Sequence, residues 1–368
     1  MESRTHGAFV SVSNYSKAYR GRTKILCCKM TYEESVATEA VDGFAKPAKV
    51  KRLHVRTPLV LNEKMSSILG EEVLLKLENT QPSGSFKIRG IGYMCAKAKQ
   101  AGARRFVSSS GGNAGAAVAH AGKMLGVETV VCVPTTTPAF MRKKLESLGA
   151  DVVVEGSEWK HADRLAKELS ADPLSIYVPP FDHEDIWEGG SSIVQEVYED
   201  LGGRPPAAIG LSVGGGGLLL SVCRGLEKVG WQNTSVLAAE TEGADSLAAT
   251  LKKGELVDLP AITSIAKSLG ASCVSSAVLP QARKLSINSV VVSDKEAVEA
   301  CGRFLVNERF LVEPACGATL AIGYDKDLVP ARLRGPVVLI VCGGNIVTPS
   351  LLKQWKAQTD AHWDDFST

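Results

Sequence analysis

Aromatic residues are scarce, 6% Phe, Trp and Tyr, against 35 glycines in 368 residues. That balance disfavours a β-sandwich and suits an α/β architecture with many close backbone approaches. Charge of one sign is also missing. A formal net charge of +2 leaves no electrostatic case for a nucleic-acid or membrane partner. No apolar run approaches ~20 residues without a charge or a glycine, so no spanning helix is expected. The six histidines are dispersed and form no HExxH or comparable metal pattern. The nine cysteines include the pair Cys27-Cys28 but no two-residue gap of a zinc or redox motif. Their odd number, with no recognisable signal peptide before them, points to reduced thiols in a cytoplasmic compartment.

The remainder, 45% apolar and 22% charged residues, is ordinary for a soluble globular enzyme, and the length suits two lobes. Residues 1–45 form a basic N-terminal segment. From Met1 to Met30 the only acid is Glu2, against Arg4, Lys17, Arg20, Arg22, Lys24 and Lys29. This reads as a disordered tail, with organellar targeting as the alternative; a poor amphipathic period favours the tail. Beyond it, strands are expected at Val73–Leu77, Arg105–Ser108, Thr129–Val133, Asp151–Val154, Ala207–Val213, Ser235–Ala239 and Val337–Val341. Helices are expected at Gly90–Ala101, Ala114–Leu125, Pro138–Leu148 and Leu218–Val229. Such alternation implies parallel sheet with crossover helices, whose ligands sit at the carboxyl ends of strands.

Several of those strands end in chemistry-bearing loops. In Pro82-Ser83-Gly84-Ser85-Phe86-Lys87-Ile88-Arg89-Gly90, a lysine stands between a small-residue turn and an apolar helix face. A lone lysine would read as a snorkelling surface residue, but in this context it reads as a desolvated amine suited to a Schiff base. Ser212-Val213-Gly214-Gly215-Gly216-Gly217-Leu218 joins strand to helix and can cradle a phosphate on backbone N–H groups; the plainer reading is a flexible turn. It is not a dinucleotide fingerprint, since residues 219 and 220 are leucine, and no Gly-Lys-Ser/Thr P-loop occurs. Ser108-Ser109-Ser110-Gly111-Gly112-Asn113-Ala114-Gly115 can hold a carboxylate or simply cap a helix. Cys342, in Val341-Cys342-Gly343-Gly344-Asn345, is either core or site, and Glu240 is either an oxygen ligand for a cation or a helix cap.

Together these segments resemble the serine/threonine dehydratase family of pyridoxal-phosphate (PLP) enzymes, in the tryptophan-synthase-like fold type II, with animal-type L-serine dehydratases most similar. The resemblance spans about Leu53 to Leu352 and includes Pro179-Pro180-Phe181-Asp182 and Leu311-Val312-Glu313-Pro314-Ala315-Cys316-Gly317. It implies two lobes, each a mostly parallel α/β sheet. The large PLP-binding lobe would be 46–83 with 185–368, and the small lobe 84–184. Lys87 would carry the Schiff base and remove the α-proton, with Phe86 against the cofactor ring. Gly214, Gly215, Gly216, Gly217 and Leu218 would bind the phosphate, Asn113 the ring hydroxyl, and Cys342 the pyridine nitrogen. Ser110, Gly111, Gly112, Asn113 and Ala114 would hold the substrate carboxylate. Glu240, Ala244, Ser246, Leu269 and Ala271 would surround a monovalent cation, expected to be potassium.

The implied reaction turns L-serine into pyruvate and ammonia, and L-threonine into 2-oxobutanoate, in a homodimer. Related racemases carry a serine at the position of Gly111, so little racemisation is expected. No feedback by isoleucine is expected either, because the chain ends at Thr368 without an effector-binding region. After Gly344 the turn Asn345-Ile346-Val347-Thr348 is one residue shorter than in the relatives considered. The alternatives are a β-replacement enzyme of the cysteine-synthase kind, whose asparagine loop usually reads Thr-Ser-Gly-Asn, and a catalytically idle PLP-binding sensor.

Overall fold

The computed structural model describes residues 50–364, so the basic segment 1–45 lies outside the described residues. Ten strands form two sheets. The larger has the order β1-β2-β10-β7-β8-β9, with β1 Leu59–Leu61, β2 Val73–Lys76, β7 Ala208–Ser212, β8 Ser235–Thr241, β9 Ile287–Val292 and β10 Val337–Ile340. Only the β1–β2 pair is antiparallel; the other pairs run parallel. The smaller sheet, β5-β4-β3-β6, is parallel throughout and contains β3 Arg105–Ser108, β4 Glu128–Val133, β5 Asp151–Val154 and β6 Ser175–Tyr177.

Burial explains the run-like strand sequences. Every residue of β7 and β10 is buried, as expected for parallel strands covered on both faces. The register sets Val338 beside Leu74 on one side and Ile209 on the other. Edge strands differ: Leu61 of β1 and Val154 of β5 are exposed. One continuous apolar cluster, from Met65 to Ala361, packs around the large sheet. Separate clusters pack around the small one; one of them joins Ile88, Ile91 and Cys95 to Phe106, Val118 and Ile186.

The expected strands at 105–108 and 151–154 are found unchanged. The helix expected from Gly90 begins three residues earlier, as Lys87–Gln100. The cause is tertiary: Ser85 bridges Gly343, and the Phe86 N–H donates to the Cys342 carbonyl at 3.0 Å, so the turn closes directly onto a helix start. Parallel pairing brings the carboxyl ends of β2, β10, β7 and β8 to one edge of the large sheet, where Cys342, Gly214 and Glu240 lie. That is the edge at which open α/β sheets place ligands.

Candidate active site

Lys87 is the first residue of its helix. Its Nζ donates to the Pro180 carbonyl at 2.7 Å and lies 5.3 Å from the centroid of the Phe86 ring. Burial lowers its pKa to about 8, against the opposing influence of Cys342 and Glu313. An amine with an appreciable uncharged fraction near neutral pH is what Schiff-base chemistry needs. The turn before it requires Gly84, whose φ is +78° and where a Cβ would lie 2.2 Å from Asn345 Oδ1.

Behind this turn lies a buried ionic cluster. Arg89, with no exposure, donates from Nε and Nη2 to Glu78 at 2.7 Å each, and from Nη1 and Nη2 to Glu196 at 2.8 Å each. Fully buried Lys76 donates to Glu196 and to the Thr57 carbonyl, both at 2.8 Å. Two buried cations therefore face two buried carboxylates, with hydroxyls of Thr57 and Ser192 completing the set.

The tetraglycine is a built cradle. A Cβ on Gly215 would lie 2.1 Å from Phe181 Cζ, one on Gly216 (φ +91°) 2.8 Å from Val278 Cγ2, and one on Gly217 2.8 Å from Phe181 Cβ. The helix Gly217–Val229 starts without a capping side chain, so the N–H groups of its first turn, Leu218 included, await an acceptor. The helix Asn113–Leu125 likewise starts without a side-chain cap, behind Ser110, Gly111 and Gly112; Ala114 is buried. A Cβ on Gly111 would meet Thr137 Cγ2 at 2.7 Å and Oγ1 at 2.8 Å. Buried Asn113 donates from Nδ2 to Glu313 Oε1 at 2.6 Å, while its Oδ1 has no partner among the described residues. Buried Cys342 accepts from Ser212 Oγ at 3.4 Å and lies near enough to act electrostatically on Lys87.

These features fit PLP: two uncapped helix starts for anions, one lined by glycines that a side chain would fill, an amide with an orphaned oxygen, and a desolvated amine between them. The expected cation ligands fall into two parts. Glu240 ends toward the helix Ser246–Lys253 and accepts from the N–H groups of Leu247 and Ala248, both at 2.8 Å, so the capping role is real. Burial still pushes its carboxyl up to about 8, and the buried Ser246 Oγ has no partner among the described residues. Ala244 bridges Thr241 beside it. Leu269 and Ala271 lie in a turn that packs on the glycine loop, with Leu269 Cα 3.1 Å from where a Gly214 Cβ would be.

Sequence reasoning assigned no role to Pro180, Phe181, Thr137 or Glu313, all of which touch the site residues. Glu313 had a signal: an acid immediately before the proline that opens a helix, Pro314–Tyr324, buried on nearly every side. Its partners lie far away in sequence, and no pattern reveals them.

A family model described as pyridoxal-phosphate dependent enzyme matches residues 50–343. The chain is 46% identical over 314 residues to a human protein named L-serine dehydratase/L-threonine deaminase, covering 83% of this chain and 95% of that one. It is 46% identical over 323 residues to a mouse protein named serine dehydratase-like, covering 86% and 98%. Among solved structures, a fungal L-serine ammonia-lyase from Rhizomucor miehei superposes with a TM-score of 0.80 at 37% identity, covering 84% of this chain and all of that one. With the desolvated Lys87 amine at its helix start and the glycine cradle at the carboxyl edge of the large sheet, the chain belongs to the family of pyridoxal-phosphate-dependent enzymes.

Proposed function

We propose that this chain is a PLP-dependent ammonia-lyase acting on L-serine, giving pyruvate and ammonia, and on L-threonine, giving 2-oxobutanoate. The observation that carries the reading is the desolvated Lys87 amine, bonded to the Pro180 carbonyl beside Phe181, which packs on the glycine cradle, with the Cys342 thiol nearby. The names of the relatives support the substrate class.

Bound PLP supplies the electron sink that weakens bonds at the substrate α-carbon. The residues supply the rest. Lys87 would hold the cofactor through its amine and would take the substrate α-proton; an amine with a pKa near 8 can accept and return protons at neutral pH. Backbone N–H groups of Gly214–Leu218 hold the phosphate, and those of Ser110–Ala114 hold the substrate carboxylate. Asn113 meets the ring oxygen. Cys342 would face the pyridine nitrogen as a weak hydrogen-bonding partner, which favours prompt loss of the β-hydroxyl over transamination. Gly111 offers no side chain to the opposite face, so serine inversion should be slow.

The proposal includes a potassium ion held by Glu240, Ala244, Ser246, Leu269 and Ala271, supported by the orphaned Ser246 hydroxyl. It also includes a small lobe at 84–184 within the large one, a homodimer, and residence in the cytoplasm. Purified PLP-loaded protein given L-serine, then L-threonine, should release 2-oxo acid, and Lys87→Ala should abolish release. No release with cofactor bound would replace this reading by thiol-accepting β-replacement or a sensor.

A further inference from the structure

We infer that Glu313 is a positioning residue that sets the orientation of the Asn113 amide toward the cofactor ring. Glu313 is 2% exposed and sits at the N-terminus of the helix Pro314–Tyr324, and Asn113 begins the helix Asn113–Leu125. Oε1 accepts from Asn113 Nδ2 at 2.6 Å and Oε2 from Ser268 Oγ at 3.1 Å; the Ile346 N–H donates as well. Burial pushes the carboxyl up, and these donors oppose it. Three donors and no acceptor make a pocket suited to the ionised form, in which a carboxylate only accepts.

That asymmetry has a consequence for the amide. A side-chain amide can turn over, exchanging its N–H₂ and oxygen ends. An accepting carboxylate at 2.6 Å permits one of the two orientations. Nδ2 is kept on the Glu313 side, and its second N–H together with the orphaned Oδ1 is left to meet a ligand. Without Glu313, Asn113 would be free to present oxygen where the ring oxygen needs a donor. Glu313 acts through Asn113 and not on the reacting atoms. The same carboxylate ties in Ser268, next to the turn on the glycine loop, and Ile346, in the turn that follows Gly344.

The inference rests on Asn113 meeting the ring oxygen, as proposed above. The test measures PLP affinity of apoprotein by fluorescence titration, and the absorption spectrum of the bound cofactor, for Asn113→Ala, Glu313→Ala, Glu313→Gln and the double alanine variant. Glu313→Ala should weaken PLP about tenfold and shift the cofactor band, and Glu313→Gln should fall between it and the parent. The double variant should be no weaker than Asn113→Ala alone. Multiplying single-variant losses, or loss of melting temperature with unchanged affinity and spectrum, would reduce Glu313 to a structural role and overturn the inference. If Glu313→Ala does not fold, Glu313→Gln decides, since unchanged affinity and spectrum there also overturn it. An Asn113→Ala variant with unchanged affinity and spectrum would instead sink the placement of Asn113, leaving the dehydratase assay untouched.

Discussion

At the scale of single residues, the proposed role of Lys87 makes its protonation state decide how the protein acquires its cofactor. An exposed lysine amine stays charged and non-nucleophilic until about pH 10. Burial brings Lys87 to about 8, so the nucleophilic fraction rises with pH and saturates two units earlier. The rate of PLP capture by apoprotein should therefore climb from pH 6 and level off just above 8, and a plateau near 10 would contradict the buried placement. In the folded protein this lowered value disfavours the charged amine, so apoprotein stability from this group should rise between about 8 and the unfolded value. Lys87 and Gly214–Gly217 were legible because their neighbours in sequence are also their working context. Glu313 and Thr137 were not, because each acquires its role from a residue far away: Asn113 for the one, Gly111 for the other.

Among the elements, the helix Lys87–Gln100 matters most, since its first residue is the amine and its third is Arg89. The charge cluster under it braces this helix against β2 and the helix Ser192–Asp200. Replacing one partner leaves buried charges unbalanced, at a cost of about 3–5 kcal/mol. Arg89→Ala should thus lose about that much in denaturant unfolding and also weaken PLP binding. Acid should attack the same cluster. Burial alone would raise Glu196, but hydrogen bonds from Arg89 and Lys76 hold it down to about 2. Its contribution is full above the unfolded carboxylate value near 4.5 and is lost as pH falls through about 2.

The elements themselves were legible where apolar runs meet glycine, as at β3 and β5. They were hidden where they are three residues long, as at β1 and β6, or where the pattern lacks a polar face. The helix Pro314–Tyr324 is buried on so many sides that no 3.6-residue period marks it.

In the whole molecule, three segments from distant parts of the chain converge: residues 108–115, 212–218 and 341–345. Their meeting was readable only through resemblance: parallel register brings 212–218 and 341–345 to one edge of the large sheet, while 108–115 ends a strand of the other sheet. The proposed cation ligands come from separate parts of the chain, the end of β8 through the start of the helix Ser246–Lys253 and the turn at 269–271. Potassium should raise the melting temperature of the holoenzyme, by about 2.7 kcal/mol of stabilisation at a hundredfold excess over Kd, while a bulky organic cation at equal ionic strength should not. Ser246→Ala should blunt the response, and indifference to potassium would remove the site.

The segment Pro180-Phe181 has one more consequence. Its first carbonyl accepts from Lys87 at 2.7 Å, and its second accepts from the Trp187 indole Nε1 at 2.9 Å. If Lys87 gives up Pro180 to hold the cofactor, as proposed, the electric field at the indole should change. Trp187 is therefore a built-in optical gauge of occupancy: PLP titration should shift tryptophan emission, and Trp187→Phe should silence most of that shift.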